Sequence, residues 1–338
     1  MKATLLLSDK TRWKGIAFGS PGIAMGHICF HDGDYMQPLG DPAYANQLLT
    51  LSTPLAGACG VNVENCESGK PFLSGVIATD VCGTPSHWRS AESLDYFLKR
   101  HYITGICGVD LVKLRKHIED NGVMRGAICT TPGFNGWNAL LAKLNDNTMR
   151  GMYPGAIKEP ILYNPHGIAR FFDSSDTSSI GVIDLGAAQS LTKQFCRRGL
   201  RVTLLPPVGE WNTAAYSAIV LSHGAREDGH DVNLVAKIRA AANPIYAVGN
   251  GFSLLCAALD LPMVKAGLGM HSDDLPIVET ASGRIIPTAH NHRLSLPISA
   301  VASRDDITVT HTTCDGLFCV GFKVECKNIW AEQFYQLK

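Results

Sequence analysis

Apolar and polar residues follow two different patterns along the chain, and the N-terminal part begins with short strand-like runs. Runs of alternating or continuous apolar residues there predict β-strands at residues 3–7, 12–18, 48–51 and 75–79. The first two runs meet at Asp9-Lys10, which predicts a tight connection between them. Helical periodicity follows further along, so we expect an α+β fold for this part of the chain.

Two segments of the N-terminal part have the spacing of amphipathic helices. The first follows residues 88–90, has Glu92 in its predicted first turn, and ends in basic residues at 99–100, the charge order that the helix dipole favours. The second is predicted to begin at Asp110 as N-cap and to end at Gly122.

A stretch rich in Pro, Gly and Ser separates this part from the rest. It predicts a domain boundary, with an N-terminal domain at 1–150, a linker at 151–177 and a C-terminal domain at 178–338. Beyond it, strand-like runs are predicted at 180–185, 202–205, 218–221 and 244–248, and helical segments at 187–199, 231–241 and 252–259. This alternation predicts a mainly parallel sheet covered on both faces, with ligands at the carboxyl ends of its strands.

Composition narrows the function classes. The chain is 46% hydrophobic and 18% charged, which is typical of a globular protein. Lys plus Arg and Asp plus Glu are 30 each, so we expect neither nucleic acid nor a membrane surface as a partner. The first apolar run is interrupted at residues 8–10, too early for a signal peptide or a spanning helix, and we therefore expect a cytoplasmic protein.

The cysteines predict neither disulfides nor a metal site. There are 11 of them, scattered and without a CxxC pair, and the cluster Cys314, Cys319 and Cys326 lacks the spacing of zinc ligands. Buried thiols explain them better. We expect no structural metal and no cofactor.

The most informative segment is 243–259, where an apolar strand runs through Gly249 and Gly251 directly into an apolar helix. A nucleophile elbow presents Ser or Cys in this context, but the apex here is glycine. A strand-to-helix turn that needs glycine for its backbone angles is the simpler interpretation of this segment taken alone.

A series of sequence blocks in the N-terminal part carries a family resemblance. In chain order these are Gly40-Asp-Pro-Ala-Tyr44, Pro54-Leu-Ala-Gly57 with Gly60-Val-Asn62, Pro85-Ser-His-Trp-Arg-Ser90, Leu98-Lys-Arg-His101 and Gly105-Ile-Cys-Gly-Val-Asp110. They resemble the small, glutamine-hydrolysing subunit of carbamoyl-phosphate synthetase. The resemblance implies a small-subunit N-terminal domain followed by a flavodoxin-like class I glutamine amidotransferase domain.

The same resemblance implies that the glutaminase chemistry is lost. The family has a G-x-C-x-G elbow, and matching the preceding strand puts Gly249 at the cysteine. Matching residues 321–326 with the family's F-S-V-Q-F puts Lys327 at the histidine and Ile329 at the glutamate of the later H-x-E. Cys256 lies about two helical turns beyond the apex and is a poor substitute.

The glutamine pocket differs in the same direction. The family's S-N-G-P-G-D is replaced by Ser222-His-Gly-Ala-Arg-Glu-Asp228, its Q-N-H-G-F by His290-Asn-His-Arg-Leu294, and the serine of its D-P-S-Y by alanine. The residues expected at the former pocket are Ala43, Gly224, Arg226, Asn250, Ser253, Asn291, Arg293 and Leu294. Two added guanidinium groups and a lost hydroxyl are expected to abolish glutamine binding.

Basic residues would gather near the emptied site, and two interpretations stay open. The residues are His223, Arg226, His290, His292 and Arg293. They could form an anion-binding or new catalytic pocket, or be solvated loop residues, which we favour because no carboxylate partner is placed beside them. A metal site is disfavoured. Trp88 and Arg89 are either structural or part of an interface.

The sequence thus favours a catalytically inactive small-subunit homologue that serves as a structural or regulatory partner of an ammonia-using synthetase large subunit. The resemblance implies pyrimidine or arginine biosynthesis as its setting, and homo-oligomerisation is compatible with the sequence. The alternatives are a repurposed enzyme or small-anion sensor at the basic pocket, and a stand-alone scaffold with another partner.

Overall fold

The computed structural model describes residues 1–33, 35–62, 70–146, 153, 156–163, 179–225 and 229–335. The chain divides into two compact units, one formed by Met1–Met152 with Gly267–Ser272 and the other by Tyr153–Ala266 with Asp273–Lys338. Among the residues so described, no helix is both long and apolar enough to cross a membrane. Arg226 and most of the predicted linker lie outside the described residues.

The first unit is built on a closed barrel with helices around it. Its strands are β1 (Lys2–Leu7), β2 (Arg12–Gly19), β3 (Ile23–His31), β4 (Gln47–Leu51), β5 (Gly75–Ala78), β6 (Thr104–Cys107) and β7 (Arg125–Cys129). Its helices are α1 (Met36–Gly40), α2 (Leu94–Arg100), α3 (Leu111–Asn121) and α4 (Trp137–Asn145). Around the barrel the strand order is β1-β2-β6-β5-β4-β3-β7.

The N-terminal strand predictions are confirmed, with one correction to a helix. β1 and β2 pair antiparallel in the register Leu5↔Trp13, as their tight connection predicts. Helix α3 has Asp110 as N-cap and Gly122 as C-cap. Glu92, however, precedes α2 rather than lying in its first turn, because Ser93 is the N-cap and accepts a hydrogen bond from the backbone of Tyr96.

The second unit contains one large sheet and a small two-stranded one. Its strands are β8 (Ile161–Tyr163), β9 (Ser179–Ile183), β10 (Gly186–Ala187), β11 (Arg201–Leu205), β12 (Ala218–Leu221), β13 (His223–Gly224), β14 (Ile245–Val248), β15 (Val264–Glu279), β16 (Ile285–Pro297), β17 (Thr308–Thr313), β18 (Phe318–Val324) and β19 (Ile329–Glu332). Its helices are α5 (Gln189–Arg197), α6 (Val232–Ala240), α7 (Gly251–Ala258) and α8 (Ile298–Val301). Strand β8 falls inside the predicted linker and pairs antiparallel with β11.

The large sheet is mixed rather than mainly parallel. Its order is β16-β15-β17-β18-β19-β14-β12-β9-β11-β8, and β11, β9, β12, β14 and β19 run parallel to one another. The expectation of a parallel sheet therefore holds for this centre only. Strands β17, β18 and β19 are joined by short connections, which require antiparallel neighbours.

Both faces of the parallel centre are covered. In β9, Ile183 packs in one apolar cluster with Leu234 of α6 and Phe252 of α7. The neighbouring Val182 packs in another cluster on the opposite face, which includes Cys196 of α5. Strands buried on both faces need near-continuous apolar sequence, which is why these runs were recognisable in the sequence.

Candidate functional site

A sharp turn joins β14 to α7, as predicted for segment 243–259. Gly249 stands at its apex with a φ of 57°, a left-handed conformation that favours glycine. Its N–H donates to the carbonyl of Glu332 at 2.9 Å, which ties the turn to β19. Gly251 lets α7 approach β12 closely, because a Cβ atom there would lie 2.8 Å from the carbonyl carbon of Leu221. The turn has the strand–turn–helix form of a nucleophile elbow with glycine at its apex.

The imidazole of His223 fills the space into which a side chain at the apex would point. A Cβ atom at Gly249 would lie 2.7 Å from Cγ of His223 and 3.0 Å from its Cβ, and closer still to Nδ1. Separations this short are well inside van der Waals contact. His223 is itself buried, on β13, so its ring has little room to move away.

His223 also engages the backbone donor that follows the apex. The N–H of Asn250 donates to Nδ1 of His223 at 3.0 Å. A nitrogen that accepts carries no proton, so the neutral ring holds its proton on Nε2. In a nucleophile elbow, the N–H after the nucleophile belongs to the oxyanion hole. In this structure the same imidazole therefore fills the space of an apex side chain and accepts the hydrogen bond of that N–H.

The side chain of Asn250 holds the turn and β13 together. Its Nδ2 donates to the carbonyl of Gly224. Gly224 pairs with Gly186 of β10, and it approaches that segment so closely that a Cβ atom would lie 2.5 Å from the carbonyl carbon of Leu185. Two predicted pocket residues, Asn250 and Gly224, thus lie side by side and are bonded to each other.

Ser253, in the first turn of α7, belongs to an oriented chain of hydrogen bonds. Its Oγ donates to the carbonyl of Asn250 at 2.7 Å, and Nε2 of His230 lies 3.0 Å from that Oγ. Because the hydroxyl proton goes to the carbonyl, Nε2 of His230 is the donor, and Nδ1 accepts from the Tyr153 hydroxyl at 3.3 Å. A histidine that donates to a serine does not remove its proton, so Ser253 is not an activated nucleophile.

His290 and His292 are bonded to each other on β16. Nδ1 of His292 lies 3.0 Å from the Leu294 carbonyl, which can only accept, so that nitrogen carries a proton. Nε2 of His292 then accepts from Nδ1 of His290 at 3.0 Å, and Nε2 of His290 lies 2.8 Å from the Thr288 hydroxyl. Each neutral ring gives its single N–H to a protein acceptor. An anion bound here would have to displace one of these bonds.

The other predicted pocket residues are placed in different surroundings. Asn291 is buried, whereas Arg293 and Leu294 are half-buried, and the carbonyl of Leu294 also accepts from Nε2 of Gln333 at 2.6 Å. Arg226 is outside the described residues. Ala43 belongs to the first unit, where it is buried in the short helix Pro42–Tyr44 and donates its N–H to the Asp41 carboxylate at 2.8 Å.

The structure does not bring Lys327 or Ile329 to the elbow, and their predicted placement is corrected. Strand β19 runs parallel to β14 in the register Ile245↔Ile329 and Val248↔Glu332. Ile329 therefore lies at the start of these strands, at the opposite end from Gly249. Lys327 precedes it in an exposed turn. The match placed the family's F-S-V-Q-F on residues 321–326, most of which belong to β18. Strand β18 is antiparallel to β19, so its chain runs away from the elbow.

Tyr335 lies beside His223, and sequence reasoning missed it. Its ring centre lies 5.1 Å from that of His223, and its backbone bridges to Ala289 of β16. It is reached from the carboxyl end of β19 through Gln333 and Phe334. A signal was available in the Gln-Phe pair at 333–334, because the family's F-S-V-Q-F also ends in Q-F; the chain's other Gln-Phe pair, at 194–195, lies on α5.

Cys256 offers no replacement for a thiolate at the apex. It is fully buried on α7, and burial raises the pKa of its thiol well above the usual value, which keeps it protonated. Within the described part of the chain, no three His, Cys, Asp or Glu side chains are grouped so as to hold a metal ion.

The chain is similar to known carbamoyl-phosphate synthase small chains. Residues 5–128 match the family model "Carbamoyl-phosphate synthase small chain, CPSase domain". The chain is 28% identical to the carbamoyl phosphate synthase small chain of Nitratidesulfovibrio vulgaris, covering 99% of this chain and 93% of that one. It is 27% identical to the pyrimidine-specific small chain of Bacillus subtilis, covering 99% and 90%.

Solved structures with partial similarity correspond to about half of the chain. A putative GMP synthase component from Thermoplasma acidophilum is 17% identical, covering 47% of this chain and 83% of that one, with a TM-score of 0.40. A glutamine amidotransferase of Thermotoga maritima is 14% identical over 47% and 75%, with a TM-score of 0.36. The sequence matches along nearly the whole length, together with the matched N-terminal domain, show that this chain is similar to carbamoyl-phosphate synthase small chains.

Proposed function

We propose that this chain is a catalytically inactive small-chain homologue, which acts as a structural or regulatory partner of a synthetase large subunit that uses free ammonia. The observation that carries the proposal is the elbow at Gly249. A glutaminase of this family forms a thioester on a cysteine at the apex, and glycine has no side chain with which to form one.

The surroundings of the apex support loss of activity rather than replacement of one nucleophile by another. His223 fills the side-chain space, the Asn250 N–H is engaged, Ser253 accepts a hydrogen bond from His230, and the Cys256 thiol is buried and protonated. A single lost residue could be compensated by a neighbour. None of these neighbouring groups has the geometry to do so.

The C-terminal strand supports the same proposal once it is matched by position in the sheet. If Gln333-Phe334 corresponds to the Q-F of the family's F-S-V-Q-F, Tyr335 stands at the histidine position of the following H-x-E. A tyrosine there cannot act as the base for a thiol at neutral pH, because its hydroxyl ordinarily titrates near pH 10. The partner position of that motif would be Leu337, outside the described residues.

A role in association is supported by an exposed turn in the first unit. Trp88 is 85% exposed, with the ring of His87 at 5.9 Å and the guanidinium carbon of Arg89 at 5.6 Å from its own ring. Trp and Arg are the residues most enriched among energetically dominant interface contacts. We propose that this turn contacts the large subunit, on a surface that offers an apolar pocket with acidic groups.

The direct test is to measure glutamine hydrolysis by the purified chain, both by itself and mixed with a large subunit. The proposal expects no hydrolysis above that of buffer in either case. A matched small chain with an intact G-x-C-x-G elbow serves as positive control. Hydrolysis that depends on this chain would overturn the proposal.

A further inference from the structure

The turn at Gly249 carries more than a missing cysteine, because one neighbouring side chain fills the site. Loss of the nucleophile alone would leave an open turn with a free backbone donor. Here the ring of His223 lies where the apex Cβ would be, and its Nδ1 accepts the N–H that would belong to an oxyanion hole.

We infer that His223 is an internal plug, an imidazole that replaces both the nucleophile and the bound carbonyl oxygen and keeps the elbow closed. This rests on the proposed function only in taking the elbow as a former nucleophile site. The plug itself concerns two residues of one unit, and its test does not depend on any partner.

Two contacts fix the ring in this position, and a third bond holds the residue next to it. Asn250 binds it through the backbone N–H and also holds the adjacent Gly224 carbonyl through its side chain. Tyr335 packs at a ring–ring distance of 5.1 Å with an interplanar angle of 47°. The ring is thus held from β13, from the start of α7 and from the end of β19. Moving it aside would break a buried hydrogen bond and the packing on Tyr335.

Two consequences follow for the site. A cysteine restored at position 249 alone would collide with His223, so one substitution cannot rebuild the elbow. An electrophilic substrate carbonyl could not reach the Asn250 N–H while the ring remains, so the closed turn would also exclude ligands that merely bind there.

The test is a double-mutant cycle on the two residues, read as thermal unfolding midpoints. Gly249→Ala is expected to lower Tm by roughly 5 °C or more, because it overpacks the buried contact with the imidazole. In a His223→Ala background, the two atoms nearest to the added Cβ are gone. There we expect Gly249→Ala to lower Tm by less than half as much as it does in the wild-type background. His311→Ala, which removes another buried histidine of the second unit, is the matched background and should leave the cost of Gly249→Ala unchanged.

Equal losses in the His223→Ala and the wild-type backgrounds would overturn the plug. If Gly249→Ala does not fold, His223→Ala is tested by itself with added imidazole. The inference expects imidazole to raise the Tm of His223→Ala but not that of His311→Ala, by refilling the site beside Gly249. No rise in either variant would contradict it.

A cysteine placed at the apex gives a second, chemical readout. With Gly249→Cys, peptide mapping after iodoacetamide treatment should find position 249 poorly labelled, whereas Gly249→Cys with His223→Ala should be labelled at least several-fold faster. Similar labelling in both would contradict the plug. Glutamine hydrolysis by the wild-type chain would instead overturn the proposed function and leave this comparison interpretable.

Discussion

Two tight turns, one in each compact unit, differ in what they present. At the turn around Trp88, the N–H of Ser86 donates to the Ala58 carbonyl at 3.1 Å and that of Ser90 to the His87 carbonyl at 3.0 Å, yet the indole is 85% exposed. The turn at Gly249 is also tied by backbone bonds, but its apex has no side chain and His223 covers it.

A turn that is well held by backbone hydrogen bonds is therefore not by itself a reactive site. What matters is whether the turn presents an exposed side chain to a partner. The turn at Trp88 does so and the turn at Gly249 does not. We propose that the chain uses the Trp88 turn for association, whereas His223 closes the turn at Gly249.

The largest expected effect concerns β13, which carries His223 next to the turn at Gly249. Gly224→Ala puts a methyl group against the Leu185 carbonyl and is expected to destabilise the second unit by about 3 kcal/mol or more. Thermal and urea unfolding would measure the loss. Gly83→Ala is the control, because a Cβ atom at Gly83 meets nothing within 4 Å. A wild-type midpoint for Gly224→Ala would show that β13 and β10 are not tightly apposed.

The proposed role of the Trp88 turn in association is tested by removing its exposed indole. Trp88→Ala is expected to weaken binding to a large subunit by about 2 kcal/mol, roughly 30-fold in Kd, and to leave the folding stability unchanged because the side chain is exposed. Surface plasmon resonance would measure it. Tyr102→Ala removes an aromatic side chain that is 87% exposed and serves as the control. Equal effects of the two substitutions would remove Trp88 from the interface.

A smaller effect is expected from the histidine chain on β16. Thr288→Val removes the hydroxyl that lies 2.8 Å from Nε2 of His290 and 3.1 Å from the Leu275 carbonyl. Losing a buried partner is expected to cost about 1–2 kcal/mol, against near zero for Thr308→Val at an exposed position of β17. Urea denaturation would compare them. No difference would mean that the chain of hydrogen bonds contributes nothing to stability.

The smallest expected effect is a pH dependence from His311, which packs against Phe334 at a ring–ring distance of 5.0 Å. Burial lowers the pKa of His311, while Glu332 and Glu279 act in the opposite direction. The unfolded chain therefore binds the proton first, so stability is full above about pH 6.5 and falls as the pH drops below it.

His311→Gln is expected to flatten this part of the stability curve between about pH 7 and about pH 5. Chemical denaturation at several pH values would measure the slopes of both proteins. Identical slopes would show that His311 is protonated equally in the folded and unfolded states.

Much of the second unit's centre could be predicted from sequence, and its flanks could not. Strands such as β9 and β12 are apolar on both faces, so their runs stand out without an alignment. The long strands β15 and β16 mix apolar and polar residues without a continuous apolar run, and their sequence does not show the antiparallel extension of the sheet. Pairing of distant strands depends on tertiary packing rather than on a local pattern.

The site shows the same limit. Gly249 was found because strand, turn and helix are contiguous in sequence. The plug could not be predicted, because His223 and Gly249 are distant in sequence and only the tertiary fold brings them together. Lys327 and Ile329 were misplaced for a related reason, because β18 and β19 are both short apolar runs. Their directions in the sheet show that the carboxyl end of β19, not that of β18, lies beside the elbow.

The proposed loss of glutaminase activity is tested most directly by carbamoyl phosphate synthesis in a reconstituted complex of this chain with a large subunit. Synthesis is measured with ammonia and with glutamine as the nitrogen source, at matched protein concentrations. We expect synthesis from ammonia, and none from glutamine above the rate that the large subunit reaches without this chain. Glutamine-dependent synthesis that requires this chain would contradict it.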